Sequence, residues 1–198
     1  GEGLKALPKD RQSLAWFSGA FIEGGLKQID NEDTERVLAS KVYGAGFAIS
    51  EDSFVLSGAT RTEDLPTQMQ VLAAYASDPG WRSEAFQRRK AGGKTVHDQM
   101  EATDSGVLGR ELSGLLHRGD RRFTFPSRED IAQAQLPDLQ AQIAAHLAND
   151  PIEVVVVGDI SVEKATEAVA RTFGALPPRN PARPVPESQK RVGFPDGV

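Results

Sequence analysis

Residues 152–160 read IEVVVVGDI, and four successive valines between Pro151 and Gly158 leave this stretch few options. A continuous β-branched run of this length predicts a central strand, which needs a sheet around it and helices to cover it. Ser161 directly behind the run is placed to cap a last helix carrying Val162, Ala165, Val169 and Phe173.

Residues 13–24, within SLAWFSGAFIEGG, predict a first helix that is apolar on nearly every side and so buried, with Gly24 and Gly25 free to close it in left-handed geometry. A second, amphipathic helix is expected from an Asn31 N-cap to Lys41, with Glu32, Asp33 and Glu35 facing the positive end of its dipole. The period then changes to two. Phe47 and Ile49, a polar SED turn, and Phe54 and Leu56 predict a hairpin. Leu65, Met69, Leu72 and Ala76 return to helical spacing behind a Thr62 cap, and Pro79-Gly80 stops that helix. SEAFQRRKAGGKTVHDQMEA predicts a long helix, and SGVLGRELSGLLH a further one, both with internal glycines. Residues 118–126 read as loop, Ser127 with Asp130 as a capping box, and PDLQAQIAAHLAN as a short amphipathic helix. Helices mixed with few strands define an α+β fold.

Composition narrows the function. At 198 residues, 39% hydrophobic and 26% charged, the chain suits one domain with a real core. A net charge of −5 offers no electrostatic reason to expect a nucleic acid or an anionic membrane surface. No apolar run is long enough to span a bilayer. The absence of Cys removes disulfides, thiolate nucleophiles and Cys-ligated zinc, and leaves the compartment open. The Pro-rich PPRNPARPVPESQKRVGFPDGV at the far end reads as a linker, residues 179–198, and the chain as a piece of a longer protein.

Short motifs mostly dissolve on inspection. Gly93-Lys94-Thr95 has the end of a phosphate-binding loop, but Arg88 stands where its first Gly belongs and a helix precedes it instead of a strand. GAGF at 44–47 lacks the third Gly of a dinucleotide fingerprint. His97, His117 and His146 lie far apart, with no partner at metal-ligand spacing. HRGD at 117–120 reads as the loop that ends a helix, and no G-x-S-x-G elbow is present. His97 with Asp98 or Glu101 as an acid and base pair is the remaining enzymatic alternative.

The order of these elements resembles the pitrilysin/insulinase family of zinc peptidases. The resemblance is carried by the apolar helix ending near a Gly, EDLPTQMQVLAAYASDPGW, SEAFQRRKAGGKTV, PSREDIAQAQLPDLQAQIAAHL and, most specifically, PIEVVVVGDISVEKATEAVARTFGALP. It spans about residues 12–178. It implies a mostly antiparallel sheet with helices packed on one face, and a first strand hairpin, usual before the first helix, that is missing here.

Cleaving members carry H-x-x-E-H on the first helix, two His binding zinc and the Glu acting as base. Aligning the family's Gly with Gly25 puts Trp16 and Ala20 at the two His positions and Gly19 at the Glu position. The third ligand, a Glu, would fall within Thr95 to His97, where no carboxylate stands. The resemblance therefore implies an inactive domain, residues 1–178, with no catalytic residue, metal or cofactor of its own. Zinc is expected in a catalytic domain elsewhere in the parent, on the same or a partner chain. The domain would supply chamber wall, peptide-binding surface and interface; the alternative is an assembly homologue with no proteolysis in the parent. Self-association through an exposed sheet edge, and a cell-envelope location like that of bacterial family members, complete the expectations.

Overall fold

A computed structural model describes residues 3–9, 13–179 and 186–194. Of the segment read as a linker, residues 180–185 and 195–198 lie outside the described ones.

The first predicted helix is broken. Ala15–Phe17 form a 3₁₀ turn and only Gly19–Glu23 are α-helical (α1). The Ser13 hydroxyl accepts from the Ala15 N–H, and Phe17 and Ser18 donate to carbonyls three residues back, so the tighter winding is set before Gly19 is reached. Gly25 sits at φ +66°, the left-handed turn expected of the glycine pair, and a Cβ there would lie 2.7 Å from the Asn31 nitrogen. α2, Asn31–Val37, is capped by Asp30 and not Asn31: the Asp30 carboxylate accepts from the Asp33 N–H at 2.8 Å.

β1, Gly46–Ile49, pairs antiparallel with β2, Phe54–Ser57, as the alternation predicts. One turn of 3₁₀ helix, Thr62–Asp64, leads into α3, Leu65–Ser77. α4, Ser83–Glu101, and α5, Asp104–Leu116, run through their internal glycines. α6, Arg128–Gln133, starts on the predicted box, with both Ser127–Asp130 bonds made. α7, Leu136–Asn149, α8, Val162–Arg171, capped by Ser161, and the four-residue α9, Glu187–Lys190, complete the helices.

The sheet is smaller than the valine run implied. Among the described residues it has two strands, β1 and β2, and residues 152–157 belong to neither. Val154, Val156 and Ile160 pack on Leu65, Met69 and Ala168, while Val155 and Val157 are 72% and 92% exposed. The alternation is that of a strand half-buried on one face, not of one buried on both. The architecture remains α+β.

Two further clusters hold α1 at the centre. Phe17, Ala20, Phe86, Ile131, Leu139 and Ile143 join α1 to α4, α6 and α7. Phe21, fully buried, meets Phe47, Tyr75 and Trp81 with ring centroids 4.6, 5.8 and 5.3 Å away. The sheet is tied to α3 by side chains. Gln68, 2% exposed, accepts from the Gly44 N–H at 2.9 Å and donates to the Gly44 carbonyl at 2.7 Å, as a neighbouring strand would. Asp64 accepts from the Val42 N–H at 2.9 Å and pairs with Arg61 and Lys41. Chiefly the Val42 bond, helped by the two cations and opposed by desolvation, draws the Asp64 carboxyl down to about 2.

Candidate functional site

A cleft of about 1070 Å³ opens where α1 meets α4, with Trp16, Phe17, Gly93, Val96 and Phe125 among the residues lining it. One rim is acidic, with Glu23, Asp30, Glu32 and Glu35; α4 supplies Arg88 and Arg89. The geometry follows from the broken first helix: the 3₁₀ turn rolls Trp16 outward, 51% exposed, against Phe125 at 4.2 Å, while Phe17 turns into the core.

The three positions that the resemblance aligns with H-x-x-E-H differ in surroundings. Trp16 lies on the cleft wall. Ala20, 3% exposed, is part of the core. Gly19 carries the most telling contact: a Cβ built there would lie 2.5 Å from the Arg89 Cζ, so the guanidinium rests on the glycine backbone. Arg89 also pairs with Glu23 at 2.5 Å. A cation thus stands where the alignment puts a catalytic carboxylate, and neither neighbour offers a lone pair. This set does not fit zinc, which needs N, O or S donors at tetrahedral spacing.

The structure does bring His97 together with Asp98 and Glu101, their ligand atoms lying within 4.8 Å of one another. The expectation that no histidine has a partner at metal-ligand spacing is corrected here, since one turn of α4 puts His97 and Glu101 on one face. His97 is 5% exposed and its Nδ1 has no hydrogen-bond partner. Both carboxylates, however, already bind Arg128, and Glu101 also binds Arg110 at 3.2 Å. The Arg128 bond holds the Glu101 carboxyl below its ordinary value. Arg128 spans Asp98 and Glu101, and Arg110, shared between Glu101 and Glu111, extends the set, so the cluster works as an ion-pair network whose carboxylates already have guanidinium partners. The Arg128 contribution was missed in the sequence because it lies 30 residues beyond Asp98. His117 and His146 stay apart from it: His117 stacks on Phe123 at 4.2 Å and His146 pairs with Asp150 at 2.8 Å. Lys94 and Thr95 lie within α4, not in a phosphate-binding loop.

Solved structures show what kind of fold this is. A protease from Helicobacter pylori matches over 98% of this chain and 47% of its own, with 14% identity and a TM-score of 0.71. The peptidase M16 inactive domain from Pseudomonas fluorescens matches over 93% of this chain and 46% of its own, at 15% identity and a TM-score of 0.70. The ferredoxin protease FusC, solved in complex with Arabidopsis ferredoxin, matches over 87% of this chain and 19% of its own, at 18% identity and a TM-score of 0.57. The fold is therefore that of M16 peptidase domains, and the chain spans less than half the length of each of these proteins. The sequence agrees: residues 133–196 match the family model of the peptidase M16 inactive domain. Fold and sequence match together support a non-catalytic, pitrilysin-like domain. No curated protein matches the sequence. No described helix is long and apolar enough to cross a membrane.

Proposed function

We propose that residues 1–178 form a catalytically inactive peptidase-type domain that walls a chamber and holds polypeptide beside a zinc-bearing catalytic domain, on the same chain or a partner. The Pro-rich residues 179–198 lead on to a neighbouring domain. The observation that carries this reading is Arg89 seated on Gly19, flanked by Trp16 and buried Ala20, because it replaces metal-binding chemistry with a fixed cation and an aromatic wall. Trp16, Phe125 and Val96 offer apolar contact, and the opposed acidic and basic rims suit the backbone and mixed side chains of an unfolded peptide. The ferredoxin complex of FusC supports a polypeptide as the ligand.

Three measurements on the purified chain test the reading. Metal analysis after dialysis is expected to find no stoichiometric zinc, and a quenched fluorogenic peptide is expected to stay uncut with or without chelator. One zinc per chain with chelator-sensitive cleavage would refute it. Trp16 and Trp81 are the only tryptophans, so unfolded peptide titrated into the chain should quench the exposed Trp16. Trp16→Phe should abolish that signal.

A further inference from the structure

The charges around the Trp16 cleft do not cancel. Five carboxylates line it against three guanidinium groups, and two of those three are already engaged. Arg89 is held by Glu23 and rests on Gly19, and Arg82 donates to the Gly24 and Leu26 carbonyls. The remaining carboxylates lack cations. Among the described residues Glu32 and Glu84 have no partner, the Glu35 carboxylate meets the neutral Asn31 amide at 3.4 Å, and the Asp30 carboxylate meets the Asp33 N–H. The floor is one face of α4, on which Glu84, Arg88, Gly92 and Val96 follow at intervals of four. Its start is therefore acidic, with Glu32 and Glu35 of α2 nearby, and its far end is apolar, with Trp16 against Phe125. Gly92 leaves the middle open, since a Cβ there would meet nothing within 4 Å.

We infer that this cleft selects cationic polypeptide: an extended segment with a Lys or Arg side chain among Glu32, Glu35 and Glu84, and an apolar side chain covering Trp16 and Phe125. The inference rests on the peptide-holding reading of the same cleft and names the chemistry of what is held. From Glu84 to Val96 the helix rises about 18 Å, so the basic and the apolar side chain stand about five extended residues apart. Carboxylates beside an apolar wall attract a cation more strongly than on an open surface, because the wall keeps high-dielectric water away. An acidic segment meets the same carboxylates with Arg88 as its counter-charge, and is disfavoured.

Two fluorescently labelled peptides test it, one with an Arg pair about five residues from a Phe-Leu pair and one with Glu in place of each Arg. Each is titrated into the purified chain and followed by anisotropy. At low salt the Arg peptide should bind about 10-fold more tightly, and the ratio should fall toward one at about 0.5 M salt. Glu32→Gln combined with Glu84→Gln, both at exposed positions, should remove the preference and leave the Glu peptide bound at least as well as before. Gly92→Leu puts a side chain into the open middle and should weaken both peptides about 10-fold or more, while the urea midpoint stays at or above wild type because Leu favours helix over Gly. Equal affinities for the two peptides at low salt would overturn the inference and leave the peptide-holding reading in place. Failure of both to bind would overturn that reading and the inference with it. Binding of the Arg peptide that neither the Gln pair nor Gly92→Leu alters would place the peptide outside the cleft and also overturn the inference.

Discussion

Gln68→Leu isolates the side chain that stands in for a strand. The substitution keeps the volume and the burial, so the packing against α3's neighbours is largely preserved and the loss falls on two hydrogen bonds. Those bonds, at 2.9 and 2.7 Å to the two polar groups of Gly44, contribute about 1 kcal/mol each. Removing the amide also leaves a half-buried N–H and C=O without it, which adds about 1 kcal/mol or more in total. The expected destabilisation is therefore about 2–4 kcal/mol. With a urea dependence of about 2 kcal/mol per molar, the unfolding midpoint should fall by about 1–2 M. Urea denaturation followed by far-ultraviolet circular dichroism measures it. Gln68→Glu, which sets a buried carboxylate oxygen against the Gly44 carbonyl, should be at least as destabilising as Leu at neutral pH and recover as acid protonates it. A Leu variant within about 0.5 kcal/mol of wild type would show that Gly44 finds water instead, and that Gln68 does not tie the hairpin to α3.

Other outcomes follow from the same contacts. Asp64 titrates lower folded than unfolded, so its stabilisation is complete above pH about 4 and is lost as the pH falls toward about 2; Asp64→Asn should flatten the acid limb of stability against pH over that window and converge with wild type at its foot. Phe21→Ala removes a fully buried ring with three aromatic neighbours and should cost about 3–5 kcal/mol in thermal or urea unfolding, whereas Trp16→Ala, on the half-open cleft wall, should cost less than half as much. Ser127→Ala breaks the capping box of α6 and should lower stability by about 1 kcal/mol, with Asp130→Ala nearly non-additive with it because they share the box.

What could be read from the sequence was what local chemistry decides. The hairpin, α4, α5, the Ser127–Asp130 box and the Ser161 cap all depend on residues within a few positions of one another, and all are present. The first helix is shorter than its apolar content predicts because that content hides a local competition, in which Ser13 and the 3₁₀ turn win before Gly19. At α2 two adjacent residues could both cap, and only the backbone geometry chooses Asp30. The 152–160 run predicts a central strand, and among the described residues it joins no sheet, because propensity says nothing about whether a partner is at hand. For the site, the sequence located the anomalous positions Trp16, Gly19 and Ala20. It could not show Arg89 lying on Gly19, a meeting of residues 70 positions apart whose only local sign is a glycine inside an apolar helix.

The two ends of the described fold are stitched to each other. Lys9 donates to the carbonyls of Ser188 and Arg191, both at 2.7 Å, and Leu4 donates to Ser50 at the tip of the hairpin. The closure of the described fold is therefore a side-chain latch: with Lys9 cut back to Ala, residues 186–194 lose these two bonds while the clusters around α1, to which neither segment contributes, keep their packing.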